Sequence, residues 1–346
     1  MSLAELAACK ALIVGCAGLK LSDEEADFFA EQQPYGFILF ARNVDTPEQV
    51  RTLVTDLRRA VGRMDAPVLI DQEGGRVQRL RGPHWFEASP FGFFGALYGS
   101  DPDRAEAALV LTARLIAADL SDLGITVNCT PCLDLSLPET ASAIGDRAFA
   151  ADPAIVARLG AIVADEMAAA GIMPVIKHMP GHGRGSVDSH HELPTVSASL
   201  DQLRMTDFMP FMALSHLPWG MTSHIVFDQI DRDHPATQSA IIIDEVIRGA
   251  IGFEGLLLTD DLNMNALSGG LPERAERALE AGVDIVLHCS GKLPEMRDIA
   301  PMCPMLSTAA LARIAVSDDI FSRKTLKYDT AEDQARLSVL LADFKD

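Results

Sequence analysis

The chain has 346 residues, 48% of them hydrophobic and 23% charged, the composition of a globular protein with a large core. Acidic residues outnumber Lys and Arg by 49 to 29, and the formal net charge of -20 argues against nucleic acid or an anionic membrane as a partner of the surface as a whole. Six thinly spread cysteines exclude a disulfide scaffold, and no apolar run is long enough for a membrane span.

The N-terminal stretch MSLAELAACKALIVGCAGLK has an acid, no basic cluster and no clear cleavage motif, so it reads as a short helix leading into a strand, not an export signal. Eight short apolar runs then follow: ALIVGCA (11–17), GFILFA (36–41), PVLID (67–71), ITVNCTP (125–131), MPVIKH (173–178), WGMTSH (219–224), LLLTD (256–260) and DIVLHC (284–289). They are continuous rather than alternating, as expected of strands buried on both faces. Helical segments separate several of them, over 46–62, 101–124, 152–171, 239–252 and 271–282. The first three open with Thr-Pro or Asp-Pro and close at Gly, a start and stop grammar for helices. This alternation predicts an α/β protein, a closed (β/α)8 TIM-type barrel forming a single domain over 1–346. Helices after about residue 305 are expected to cap or flank it. An open doubly wound sheet is the alternative, but no G-x-G-x-x-G follows any of these runs.

In such a barrel, chemistry sits at the C-terminal strand ends. Six of the runs end in or lead to unusual polar residues: Asp71, the PCLDL block, Lys177-His178, His224, Asp260-Asp261 and His288. Their coincidence predicts a pocket. Neighbours on a strand point to opposite sides, so one of Asp260 and Asp261 faces the barrel axis and the other is structural. The inward carboxylate could be a nucleophile, a base or a metal ligand; the alternative is a helix N-cap. Arg79 and Arg147 could grip an anionic or hydroxyl-rich ligand by forked hydrogen bonds, or form surface salt bridges.

The segment VIKHMPGHGRGSVDSHHELP (175–194) holds four of the nine histidines. His178 and His182 are four apart, but Pro180, Gly181 and Gly183 forbid the regular helix a zinc motif would need. A loop-based metal site and a Schiff-base Lys177 remain open at this stage. Asp188 stands two residues before His190 and could orient its ring on a glycine-bearing loop. Glu192 is a rival acid/base. Cys129 and Cys132 form a C-x-x-C whose plainer reading is a pair of small buried side chains at a strand end.

The block KHMPGHGRGSVDSH resembles the signature KH-[FM]-PGHG-x4-DSH of glycoside hydrolase family three. The blocks DQEGGRVQRL, IGDRAF and LLLTDDLNM resemble the same family's NagZ-type β-N-acetylhexosaminidases, and all four stand in family order. The resemblance spans about residues 11–290; Met179 stands where Phe is commonest, and the cysteines of NCTPCLDL look particular to this chain.

The resemblance implies a retaining glycosidase with Asp260 as nucleophile and His190 as acid/base, partnered by Asp188. It implies Asp71, Arg79, Arg147, Lys177 and His178 as substrate-binding residues, and no metal or cofactor. The implied substrate is a GlcNAc-containing cell-wall fragment, GlcNAc-anhydroMurNAc with or without peptide, recycled in the cytoplasm. No nucleic-acid or membrane partner is expected. A phosphorylase and a non-catalytic sugar-binding barrel are the rival functions.

Overall fold

The computed structural model describes residues 3–189, 192–321 and 328–344. Eight strands form a closed, all-parallel barrel in chain order: β1 (Lys10–Gly15), β2 (Pro34–Leu39), β3 (Val68–Ile70), β4 (Val127–Asn128), β5 (Met173–Met179), β6 (Trp219–Thr222), β7 (Leu256–Asp261) and β8 (Ile285–His288). β8 pairs with β1 in register Leu12 to Val286, which closes the ring. Arg42 braces that seam, donating to the carbonyls of Cys16 after β1 and Cys289 after β8. The (β/α)8 expectation is therefore met.

The two-residue period of a strand divides the apolar residues between two cores. Ile13, Ile38, Leu69, Val127, Val175 and Leu258 fill the barrel interior. Leu12, Val14, Phe37, Val68, Ile176 and Leu257 face the surrounding helices. Below, Leu6 and the helix Thr308–Phe321, through Ala310 and Ile314, close the bottom of the interior. Trp219 Nε1 donates to Ser317 Oγ there at 3.2 Å. The last helix, Thr330–Leu341, packs Leu337 into the outer core and receives a hydrogen bond from Arg104 at the Leu340 carbonyl.

The helix starts follow the sequence grammar. Thr46, Asp101 and Asp152 cap Pro47–Ala60, Pro102–Leu123 and Pro153–Ala169, each accepting from a first-turn N–H. The segment expected to be helical over 239–252 forms a wider π-helix over Ile242–Ala250. The run expected as a strand over 125–131 pairs regularly only at Val127–Asn128, because Pro131 has no N–H to give the ladder. Pairing resumes just beyond: Leu133 N–H donates to the Lys177 carbonyl at 2.7 Å, which carries Asp134 alongside His178. The helix Phe91–Ser100 lies in a stretch for which no element was expected, and Gly95 lets it press on the backbone of Phe149.

Candidate active site

A cleft of about 330 Å³ opens at the C-terminal end of the strands. Asp71, Arg79, Arg147, Lys177, His178, Asp188 and Asp260 all line it, so seven of the eight site residues that the family resemblance implies converge on one cavity. The eighth, His190, lies outside the described residues, as does His191.

Opposite charges alternate along the floor. Arg79 Nη2 donates to Asp71 Oδ2 at 3.1 Å, and Asp71 Oδ1 accepts from Lys177 Nζ at 2.9 Å. Lys177 Nζ also lies 2.7 Å from Glu73 Oε1. Glu73 takes a forked pair from Arg147, at 2.9 and 2.8 Å. Arg147 Nη2 stands 3.4 Å from His178 Nε2, and His178 Nδ1 lies 2.6 Å from Asp134 Oδ2. Burial alone would raise the carboxyl pKa values. The cations outweigh it, holding Asp71 well below the usual range and lowering Glu73 to about 2. Desolvation likewise opposes the charge on Lys177, but Asp71 and Glu73 raise its pKa above the ordinary lysine value. Lys177 thus stays an ammonium, which removes the Schiff-base reading: that chemistry needs the free amine.

Asp134 is a hub that sequence reading passed over. Oδ2 accepts from Cys132 Sγ at 3.2 Å and faces His178; Oδ1 accepts from the backbone N–H of His178 at 3.3 Å and of His182 at 2.6 Å. Cys132, Asp134 and His178 offer ligand atoms within 4.8 Å of one another, the one such group among the described residues. Hydrogen bonds already satisfy that set without an ion. Cys129 and Cys132 are free and buried, and desolvation raises both thiols well above the usual range, the reverse of a redox thiol.

At the end of β7 the two acids separate as the strand period requires. Asp261 Oδ1 is tied to the backbone of Asn263 and Cys289, both at 3.1 Å, and to Asn263 Nδ2 at 3.2 Å. Asp260 Oδ1 accepts from the Asp261 N–H at 2.8 Å. Among the described residues no cation is within ion-pair distance of Asp260. Burial raises its pKa, but His178, His224 and that N–H together hold it below the ordinary carboxylate value. Asp260 is therefore an ionised carboxylate free to meet a ligand.

Two strand-end histidines do not join the cleft lining. His224 is buried between Thr237 Oγ1 at 2.7 Å and the Asp261 carbonyl at 3.1 Å. His288 stands 2.9 Å from Asn263 Nδ2 and 3.1 Å from Ser290 Oγ. Both brace the turn after Asp260. Glu192 is exposed and off the cleft, which weakens it as a rival acid/base.

Phe40, Met264, His182 and Ser189 are among the other residues that line it, as is Asp261 beside Asp260. The Arg79 guanidinium lies 5.3 Å from the Phe40 ring centroid. Glu73 and Asp134 carried one signal in the sequence: each stands within three residues of a predicted strand end, in a block that also holds a candidate ligand.

The family model described as Glycosyl hydrolase family 3 N terminal domain matches residues 2–319. A β-hexosaminidase of Alkalilimnicola ehrlichii is 41% identical over 283 residues, covering 81% of this chain and 80% of the relative. One from Stenotrophomonas maltophilia is 36% identical over 304 residues, covering 87% and 89%. NagZ from Neisseria gonorrhoeae, solved in complex with N-trifluoroacetyl-D-glucosamine, superposes with a TM-score of 0.85 at 30% identity, over 96% of this chain and 98% of that one. An ionised carboxylate facing a sugar-sized cleft at the top of a (β/α)8 barrel agrees with these matches: the chain belongs to glycosyl hydrolase family 3, on the branch of the NagZ-type β-hexosaminidases.

Proposed function

We propose that this chain is a retaining β-N-acetylglucosaminidase that removes terminal GlcNAc from β-1,4-linked cell-wall fragments, GlcNAc-anhydroMurNAc with or without peptide, during peptidoglycan recycling in the cytoplasm. The observation that carries the reading is Asp260: unlike Asp71 and Glu73, it has no cation at ion-pair distance among the described residues, yet it is held ionised at the cleft wall. A cleft of about 330 Å³ suits one sugar ring better than a long chain, in keeping with removal of a terminal residue.

In the proposed reaction the Asp260 carboxylate attacks the anomeric carbon and the glycosidic C–O bond breaks. His190, partnered by Asp188, gives a proton to the leaving oxygen. The same pair then takes a proton from water, whose oxygen attacks the anomeric carbon and releases Asp260 with net retention. Asp71, Arg79, Arg147, Lys177 and His178 hold the ring hydroxyls. Ion pairs among Asp71, Arg79 and Lys177, of Arg147 with Glu73 and of His178 with Asp134 support these side chains before substrate arrives, so little ordering is left to binding.

Release of the aryl group from a chromogenic β-N-acetylglucosaminide tests the reading. Wild type should cleave it equally with and without EDTA, Asp260→Ala should be inactive, and His190→Ala should be far weaker than Glu192→Ala. No cleavage by wild type would overturn the assignment; loss with EDTA alone would assign the histidines to a metal. Added phosphate that diverts the product to a sugar phosphate would make the enzyme a phosphorylase.

A further inference from the structure

Ser189 sits where three parts of the cleft meet. Its hydroxyl oxygen lies 3.1 Å from His182 Nε2, and its carbonyl accepts from the Ala266 N–H at 3.3 Å, in the loop that follows Asp260. Ser189 and His182 are each 3% exposed, and both line the cleft. His182 is itself immobilised: its backbone donates to Asp134, and Gly185 packs so closely that a Cβ there would stand 3.1 Å from the ring Nδ1. That buried Nδ1 has no hydrogen-bond partner among the described residues. A proton on Nδ1 would be a buried donor without an acceptor, the costlier kind of orphan. The hydrogen-bond network therefore assigns the ring proton to Nε2, donating to Ser189 Oγ, and leaves the serine O–H free to donate. Desolvation lowers the His182 pKa to about 4, so the ring is neutral at pH 7.

We propose that Ser189, held by His182, is a positioning residue for the acid/base pair that flanks it in sequence, Asp188 and His190. It ties their segment to the root of the β5 loop through its hydroxyl and to the β7 loop through its carbonyl. The tie holds Asp188, the partner of the proposed proton donor, at the cleft wall beside the loop that follows Asp260. The inference rests on the reading of Asp188 and His190 as the acid/base.

The test compares kcat/KM for phenyl and dinitrophenyl β-N-acetylglucosaminides in wild type, Ser189→Ala and His190→Ala. Phenoxide needs a proton to leave and dinitrophenoxide does not, so the ratio of the two rates reports acid catalysis alone. The fraction of folded enzyme cancels within each variant, so partial misfolding does not obscure the answer. For Ser189→Ala we expect a loss of roughly ten- to a hundredfold on the phenyl substrate and under about threefold on the dinitrophenyl one, part of the typical worth of a placed acid. Equal losses on both substrates would reduce Ser189 to a structural residue and overturn the inference. If His190→Ala shows leaving-group dependence and Ser189→Ala does not, the inference fails while the acid/base reading stands. If His190→Ala shows none, both fall together.

Discussion

Replacing Glu73 with Gln tests the alternating charges of the cleft floor. Glu73 is 2% exposed and serves two cations, Arg147 through a fork and Lys177 at 2.7 Å. After the change Lys177 keeps Asp71, whereas Arg147 keeps the Ala143 carbonyl at 3.2 Å and no acid. Two routes give the magnitude. The Glu73 pKa falls from 4.5 to about 2, and a depression of that size corresponds to about 3 kcal/mol. Removing one partner of a buried ion pair costs about 3–5 kcal/mol by the general record of such changes. For the sign, the folded pKa lies below the unfolded one, so the stabilisation is complete above about 4.5 and is lost as pH falls toward 2. Urea unfolding at pH 7 should therefore show a lower midpoint with an unchanged slope, and the gap from wild type should narrow below pH 4.5. Adding Lys177→Gln removes one of the two cations and should cost less than the sum of the single changes. A loss under about 1 kcal/mol for Glu73→Gln, in a clean two-state transition, would refute the claim that this carboxylate holds the floor together.

Acid should weaken the fold through His182 as well. Its folded pKa of about 4 lies below the unfolded 6.5, so the unfolded chain binds the extra proton between those values and stability rises with pH across that window, by about 3 kcal/mol. His182→Gln should flatten this part of the curve of urea midpoint against pH. Gly95→Ala places a Cβ 1.6 Å from the Phe149 carbonyl oxygen and should cost about 3 kcal/mol or more, read as a lower thermal midpoint. Arg79→Lys keeps the charge but loses the flat face over Phe40 and the Nη2 hydrogen bond to Asp71; KM should rise roughly tenfold with kcat little changed.

The barrel was legible because two independent signals agree along the chain. Continuous apolar runs such as ALIVG and LLL mark strands buried on both faces, and Thr-Pro or Asp-Pro pairs mark where the helices between them begin. The cleft residues were legible because barrel geometry places strand ends together whatever their separation in sequence. Side-chain direction was less so. His224 and His288 end strands just as His178 does, but local hydrogen bonds turn them toward Asp261 and Asn263. Glu73 and Asp134 look like ordinary acids in a chain rich in them. Their partners Arg147 and His178 stand 74 and 44 positions away, and only folding shows those distances to be hydrogen bonds. The helix Phe91–Ser100 follows no strand-like run; Gly92 and Gly95 in it serve close packing on the backbone of Asp146 and Phe149.

The seam where β8 meets β1 has a consequence during synthesis. The N-terminal strand pairs with β2 soon after both emerge, but its other edge has no partner until residues 285–288 leave the ribosome. At about 5–20 residues per second, the ring stays open for roughly a quarter of a minute to a minute. Throughout that interval β1 presents unpaired N–H and C=O groups flanked by Leu12, Ile13 and Val14, a template for wrong pairing with another nascent chain. The Arg42 brace needs the Cys289 carbonyl as well, so closure and the clasp that secures it arrive together, late in translation. Yield in the cell should then depend on how well chaperones shield the unfinished edge as much as on the stability of the finished barrel.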